Sequence, residues 1–256
     1  MEPTDPAADR ISMTGGRDLW QALSAHTAAR IALGRTGGSL RTESLLELRL
    51  AHAGARDAVH APFDILALEE TLRGQGLATE RLSTGASDRR TYLARPDLGR
   101  ILECESADRL RAAAPSWGRR DLAILVSDGL AAMAATRHAA ETIGELARVL
   151  TGMGWTLYPI FLVPLARVKV QDAVGGILGA RHSVILLGER PGLSSHDSLG
   201  AYLTFGPRPD RTDANRNCVS NIREGGLPPQ MAAHKLARLL TESRRLGLSG
   251  VALRDA

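Results

Sequence analysis

Three short segments place polar or charged residues shortly after apolar runs with the composition of buried strands, and they are the first candidates for a binding site. They are residues 127–129, 167–169 and 188–193. In an open α/β sheet, ligands bind outside the carboxyl ends of the strands. The glycines in these segments would allow the backbone to approach a bulky ligand closely. The alternative is that they are ordinary strand-to-helix turns with Asp and Ser as N-caps.

A carboxylate stands beside a guanidinium at Glu189 and Arg190, before a proline and a glycine that fix a turn. At the edge of a sheet, such a carboxylate accepts hydrogen bonds from amide or hydroxyl groups of a ligand. The alternative is a solvated ion pair, which stabilises little. Residues 194–198 contain the residue types of a hydrolase triad, but contiguous residues cannot reach its geometry, so we predict a loop or helix cap there.

Cys218 lies in the segment richest in polar side chains, residues 210–226. A free cysteine is most often a small buried hydrophobe. Its arginine, asparagine and serine neighbours favour a loop where a polar surface meets a ligand or a partner. Both interpretations remain open at this point.

No complete catalytic or metal-binding motif accompanies these residues. The seven histidines are scattered, without the paired spacing or the H-E-x-x-H arrangement that organises a metal. The glycine-rich run at 175–179 lacks the G-x-G-x-x-G spacing, and the sequence contains neither a phosphate loop nor a G-x-S-x-G nucleophile motif. A stand-alone dinucleotide oxidoreductase and a serine hydrolase are therefore disfavoured.

The elements that would position these residues follow from apolar periodicity. Helical spacing predicts helices over residues 18–30, 42–56 and 62–72, which form a mainly helical lobe. After Gly118, short apolar runs alternate with amphipathic stretches, which predicts an α/β fold with a doubly wound parallel sheet covered on both faces. The predicted strands are 122–126, 158–163, 183–187 and 202–205, and the predicted helices are 130–150, 170–178 and 228–245.

We therefore predict a flexible tail over residues 1–17, a helical lobe over 18–115 and the sheet domain over 116–256. The net charge of +4 divides into 32 basic and 28 acidic residues without a dense basic run, which argues against nucleic-acid binding. No apolar run is long enough to span a membrane, and no secretory signal is present. Two cysteines without metal-ligand spacing suit the cytoplasm.

Long blocks of this sequence resemble the small subunit of ethanolamine ammonia-lyase over most of the chain. The blocks are residues 29–64, 92–100, 126–130, 186–205 and 211–226. The resemblance implies a subunit of a carbon–nitrogen lyase, EC 4.3.1.7, that converts ethanolamine to acetaldehyde and ammonia. The reaction uses the radical released when the cobalt–carbon bond of adenosylcobalamin breaks. It also implies that a large subunit carries the substrate site, so no catalytic residue is expected in this chain.

Matched residue by residue, the family's small-subunit contacts to adenosylcobalamin fall on Val168, Glu189 and Cys218, in a Rossmann-like module. Val168 would pack against the corrin, Glu189 would accept hydrogen bonds, and Cys218 would fit where a larger side chain would clash. Lys169 and Arg190 lie beside two of these contacts and could reach polar side arms or the nucleotide phosphate.

Three details qualify the resemblance. The usual Gly-Arg-Val reads Ala-Arg-Val at 166–168, which preserves the contact. The amphipathic N-terminal helix that some relatives use to enter a bacterial microcompartment is missing, so encapsulation is not expected. Without a D-x-H-x-x-G pattern to supply a histidine, cobalamin should keep its own benzimidazole as the lower ligand. The alternative function is a free-standing corrinoid carrier or chaperone.

Overall fold

The computed structural model describes residues 38–254 and, before them, positions 23, 26, 27, 29–31, 33, 35 and 36. The chain divides into two compact units, Met1–His52 and Ala53–Ala256. The helix predicted over 18–30 and the tail predicted over 1–17 fall wholly or mostly on residues outside the described part. The predicted boundary between 115 and 116 stays a prediction.

The first unit contains a short antiparallel pair, β1 (Arg35–Thr36) with β2 (Ser39–Leu40). Helix α1 (Thr42–His60) begins directly after it and continues into the second unit. The leucine spacing predicted this helix, and Glu43 in its first turn complements the helix dipole. The helix predicted over 42–56 is confirmed and extends by one further turn.

The second unit opens with three helices and one strand. In chain order they are α2 (Ile65–Gly74), β3 (Thr79–Arg81), α3 (Arg89–Ala94) and α4 (Cys104–Trp117). Helix α2 begins later than predicted because the Asp64 side chain caps it by accepting a hydrogen bond from Ala67 N at 3.0 Å. Strand β3 and helices α3 and α4 were not predicted.

The remaining elements alternate between strands and helices until the last two strands. They are β4 (Leu122–Ser127), α5 (Ala132–Gly152), β5 (Ile160–Leu162), α6 (Val170–Leu178), β6 (His182–Gly188), β7 (Leu199–Phe205), β8 (Arg216–Ile222) and α7 (Pro229–Leu246). Every strand and helix predicted after Gly118 is therefore confirmed. The prediction of a loop over 210–226 is wrong for its central part, which forms β8.

The six strands of the main sheet lie in the order β3-β5-β4-β6-β7-β8. The first four are parallel, and β7 and β8 are antiparallel to their neighbours. Parallel pairing needs a long crossover, usually a helix, and no helix of that length separates β6 from β7 or β7 from β8. The α/β class is confirmed, with an antiparallel extension that the sequence did not predict.

The sheet is covered on both faces, as predicted. Within β4, the side chains of Leu122, Ile124 and Val126 join the core that includes α2, α5 and α7. Those of Ala123 and Leu125 join the core on the other face, with α4 and α6. The crossover helices α5 and α6 thus lie on opposite faces, which is the doubly wound arrangement. Among the described residues, no helix is both long and apolar enough to cross a bilayer.

Candidate functional site

The carboxyl end of β4 holds the loop that follows β5. The Asp128 carboxylate accepts a hydrogen bond from Leu165 N at 2.6 Å, and the Ser127 hydroxyl accepts one from Ala166 N at 3.0 Å. Leu165 has a φ of +57°, so its backbone needs this support. Two of the three predicted segments, 127–129 and 167–169, are therefore adjacent, and the first positions the second.

Arg89, at the start of α3, binds the same turn. Its Nη1 lies 3.1 Å from an Asp128 carboxylate oxygen and 2.6 Å from Gly129 O, and its Nη2 lies 2.9 Å from Leu130 O. Burial raises the pKa of Asp128, and the Leu165 N–H and the Arg89 guanidinium oppose that shift. The Asp128 carboxylate is thus engaged within the chain, and residues 127–129 form a structural turn. The predicted N-cap role is wrong, because the helix that follows has Ala131 as its N-cap and no side-chain cap.

The glycines at this edge allow two backbone segments to approach each other. A Cβ on Gly129 would lie 2.3 Å from Gly188 O, and a Cβ on Gly188 would lie 2.0 Å from Ala131 O. Leu130 N also donates a hydrogen bond to Gly188 O at 2.8 Å. We expected these glycines to allow a ligand to approach the backbone. Instead, they allow the backbone at 129–131 to contact Gly188.

A cavity of about 550 Å³ opens beside this edge, and two of the three predicted cofactor contacts line it. Val168 is half-buried in its wall, and Cys218 is exposed on β8. Tyr202 of β7 pairs with Cys218 across the sheet and lines the cavity beside it. The remaining wall is strongly basic. Its cationic side chains are Arg100, Arg167, Lys169, Arg211 and Arg216.

The Cys218 thiol is neutral at physiological pH. Desolvation by the surrounding protein raises the pKa of this thiol, although the residue remains exposed, and a hydrogen bond with the Tyr202 side chain opposes the shift only in part. A nucleophilic cysteine needs a lowered pKa. Cys218 therefore offers a small neutral surface to a neighbour.

Glu189 is held at the carboxyl end of β6 and is not among the residues that line the cavity. Its carboxylate accepts hydrogen bonds from Ser198 Oγ at 2.5 Å and from Asn221 N at 3.3 Å. A Cβ on Gly200 would lie 2.8 Å from Glu189 Oε1, so a larger residue there would displace this carboxylate. Glu189 also raises the pKa values of Cys218 and Tyr202, which places its charge within electrostatic reach of the cavity.

The serine, histidine and aspartate side chains of 194–198 do not form a triad. Asp197 lies 2.9 Å from Arg137 Nη1 and 3.6 Å from His138 Nε2, while Ser198 donates to Glu189. The segment is a loop whose side chains contact different elements. In the part of the chain that the structure describes, no group of three or more His, Cys, Asp and Glu side chains could hold a metal ion.

Lys169 is used within the protein. Its Nζ donates to Pro209 O at 2.8 Å and to Arg211 O, and it lies 3.0 Å from Asp172 Oδ2. Asp172 also pairs with both terminal nitrogens of Arg216 at 2.8 and 2.7 Å. An ammonium group has three N–H donors, and these three partners account for all of them. Lys169 therefore fixes the cavity wall and has no donor left for a ligand.

Sequence reasoning missed Arg89, Tyr92, Arg100 and Arg211. Tyr92 donates its hydroxyl to Ala166 O at 3.2 Å, and the Arg167 guanidinium lies 4.1 Å above its ring. Three of these residues fall in the blocks 92–100 and 211–226 that carry the resemblance. Their position within long matching blocks was the available signal, since none of them belongs to a short motif.

Comparison with known proteins agrees with the resemblance. The family model described as "Ethanolamine ammonia-lyase light chain (EutC)" matches residues 17–254. Three similar curated proteins are each named ethanolamine ammonia-lyase small subunit. That of Azotobacter vinelandii is 56% identical over 237 residues, which are 92% of this chain and 88% of the relative.

The other two are similar over as much of their length. The protein of Ralstonia nicotianae is 54% identical over 249 residues, which are 97% of this chain and 92% of the relative. The protein of Xanthomonas campestris pv. campestris is 51% identical over 243 residues, which are 94% of this chain and 89% of the relative. A family match over nearly the whole chain and identities above half settle the assignment: the chain belongs to the ethanolamine ammonia-lyase light-chain family.

Proposed function

We propose that this chain is the small subunit of an adenosylcobalamin-dependent ethanolamine ammonia-lyase, EC 4.3.1.7, and that it is active only with a large subunit. The enzyme would convert ethanolamine to acetaldehyde and ammonia in ethanolamine degradation. The observation that carries the proposal is one cavity lined by both Val168 and Cys218, with Glu189 fixed within electrostatic reach. Two free cysteines are typical of a reducing compartment, so we place the enzyme in the cytoplasm.

The residues around this cavity fit a corrinoid with a nucleotide arm. Such a ligand has an apolar macrocycle, amide side arms and one phosphodiester. The cavity offers an apolar side chain at Val168, a small neutral one at Cys218 and a basic wall. The Nε of Arg167 is buried and has no hydrogen-bond partner among the described residues, and a polar group of a ligand would satisfy it.

The size of the cavity indicates why a partner is needed. A volume of about 550 Å³ is typical of a site for a drug-sized molecule. Adenosylcobalamin is much larger than that, so this chain covers only part of it. A large subunit that closes over the remaining surface would complete the site and exclude water from it.

The residues of this chain would hold and orient the cofactor. When bound, adenosylcobalamin supplies a carbon-centred radical by cleavage of its cobalt–carbon bond. Val168 would contact the macrocycle, and Glu189, already oriented by Ser198 and Asn221, would accept a hydrogen bond from an amide side arm. Cys218 would let the ligand approach β8 closely. We assign no catalytic residue to this chain.

Coexpression with a large subunit tests the proposal. We expect a stable assembly on size-exclusion chromatography that releases acetaldehyde when ethanolamine and adenosylcobalamin are both added, and no release from either chain alone. Robust lyase activity of the isolated chain would overturn the subunit role. Tight cobalamin binding by the isolated chain, seen as a shifted visible spectrum, would instead favour a free-standing corrinoid carrier or chaperone.

A further inference from the structure

The wall of the cavity beside Val168 and Cys218 carries more positive charge than the chain neutralises. Asp172 is buried and paired with Lys169 and Arg216, and Asp213 lies 3.3 Å from Arg216 Nε. These two carboxylates offset two of the five cations that line the cavity. A surplus of three positive charges remains among the residues that line the cavity, before the Glu189 carboxylate within electrostatic reach is counted.

The surplus resides on three arginines with donors to spare. The Arg100 side chain makes no hydrogen bond or ion pair within the described residues and is exposed. Arg211 donates its Nε to Gly206 O at 2.9 Å, and within the same part of the chain its two Nη groups make no hydrogen bond. Arg167 donates one Nη to Tyr92 O at 3.3 Å and keeps a buried Nε without a partner.

Two of these three groups, Arg167 and Arg211, are also held in place. The ring of Tyr92 stacks under the Arg167 guanidinium, and Tyr92 is itself fully buried. Arg211 is tied to Gly206 through its side chain and to Lys169 through its carbonyl oxygen. Guanidinium groups fixed in this way lose little entropy on binding, and their planar fork of N–H donors suits phosphate oxygens.

We propose that Arg100, Arg167 and Arg211 form an anion subsite that binds the phosphodiester in the nucleotide arm of the cofactor. This inference rests on the proposed function and adds a specificity to it: the chain distinguishes a complete cobalamin from a corrinoid that lacks the nucleotide arm. Lys169 does not contact the anion. It fixes the backbone carbonyls at 209 and 211 and so holds the wall that carries Arg211.

The test compares two corrinoids on the assembled complex with the large subunit. Adenosylcobalamin carries the phosphodiester, and adenosylcobinamide lacks the nucleotide arm. Each is titrated into the wild-type complex and into complexes with Arg100→Gln, Arg211→Gln or both, and binding is followed by the corrinoid absorbance. Arg119→Gln is the matched control, because Arg119 is also exposed but lies near the amino end of β4, at the opposite edge of the sheet.

We expect each substitution to raise the Kd for adenosylcobalamin about tenfold, and the pair about a hundredfold, as the loss of charge-assisted hydrogen bonds predicts. The Kd for adenosylcobinamide should change less than about twofold, and Arg119→Gln should affect neither ligand. Equal weakening of both corrinoids by Arg100→Gln and Arg211→Gln would overturn the subsite while leaving the proposed function intact. A wild-type complex that binds neither corrinoid would overturn the proposed function and the subsite with it.

Inorganic phosphate distinguishes a subsite for the phosphodiester of the cofactor from a subsite for free phosphate. Added to the wild-type complex, it should compete with adenosylcobalamin and leave the binding of adenosylcobinamide unchanged. Saturable phosphate binding that depends on Arg100 and Arg211 but affects neither corrinoid would assign the subsite to free phosphate and overturn the proposal.

Discussion

Among the predicted cofactor contacts, Glu189 is oriented by hydrogen bonds from Ser198 and Asn221. Its carboxylate accepts two hydrogen bonds from within the chain and lies over Gly200, where an added Cβ would lie 2.8 Å from Oε1. A side chain oriented before the ligand arrives binds without losing further rotamer entropy. Cys218, in contrast, contributes by being small and neutral.

We therefore expect Glu189→Ala to accelerate the loss of cobalamin from the assembled complex about tenfold, because both an acceptor for the ligand and the anchor of Ser198 are removed. The measurement is the corrinoid absorbance that remains after gel filtration. His196→Ala, in the same loop, is the comparison and should have a smaller effect. Equal effects of the two substitutions would mean that residues 188–193 form only a structural turn.

At the scale of elements, the ends of β4 and β6 depend on a close approach of their backbones. Gly129 has a φ of +55°, and a Cβ there would lie 2.3 Å from Gly188 O. The left-handed conformation alone costs a residue with a side chain about 1–2 kcal/mol, and the contact with backbone adds to it. The hydrogen bond from Leu130 N to Gly188 O joins the same two segments.

Gly129→Ala should lower the free energy of unfolding by at least about 2 kcal/mol, measured by urea denaturation of the isolated chain. Gly152→Ala is the control. It lies at the end of α5, where an added Cβ would have no neighbour within 4 Å, so alanine should be neutral or slightly stabilising. Similar midpoints for the two variants would show that the β4–β6 contact relaxes without cost.

At the scale of the whole molecule, stability against pH depends on a histidine in the core. His182, on β6, is fully buried between the rings of Trp155 and Phe205, whose centroids lie 5.2 and 5.1 Å away. Its Nε2 lies 3.1 Å from Ser243 Oγ of α7. Burial lowers the pKa of His182 from 6.5 to about 4. The folded protein therefore keeps this ring neutral where the unfolded chain protonates it.

The resulting stability is fully present above pH 6.5 and is lost as the pH falls from 6.5 towards 4, because the unfolded state binds the proton first. The loss amounts to about 3 kcal/mol for a shift of this size. Urea denaturation at pH 7.5, 5.5 and 4.5 measures it. His182→Gln should be less stable at pH 7.5 and should lose this part of the pH dependence; the same pH slope in both proteins would contradict the assignment.

Much of the sheet could be predicted from apolar runs, but its edges could not. Strand β4 is buried at every position, and its continuous apolar run predicted it. Strands β3 and β8 lie at the two edges of the sheet, are mostly polar and are not buried throughout, so they lack that signal. This is why Cys218 was predicted on a loop and lies on a strand.

The sequence by itself determined the family and the α/β class, because long matching blocks and buried apolar runs are local properties of the chain. The three cofactor contacts that it predicts remain a prediction. Only the tertiary structure decided which side chains meet. Arg100, Val168, Arg211 and Cys218 share one cavity although they are far apart in sequence. Strand order and the pairing of β7 with β8 bring them together, and the burial of Asp172 beside Lys169 and Arg216 decides which cations remain available to a ligand.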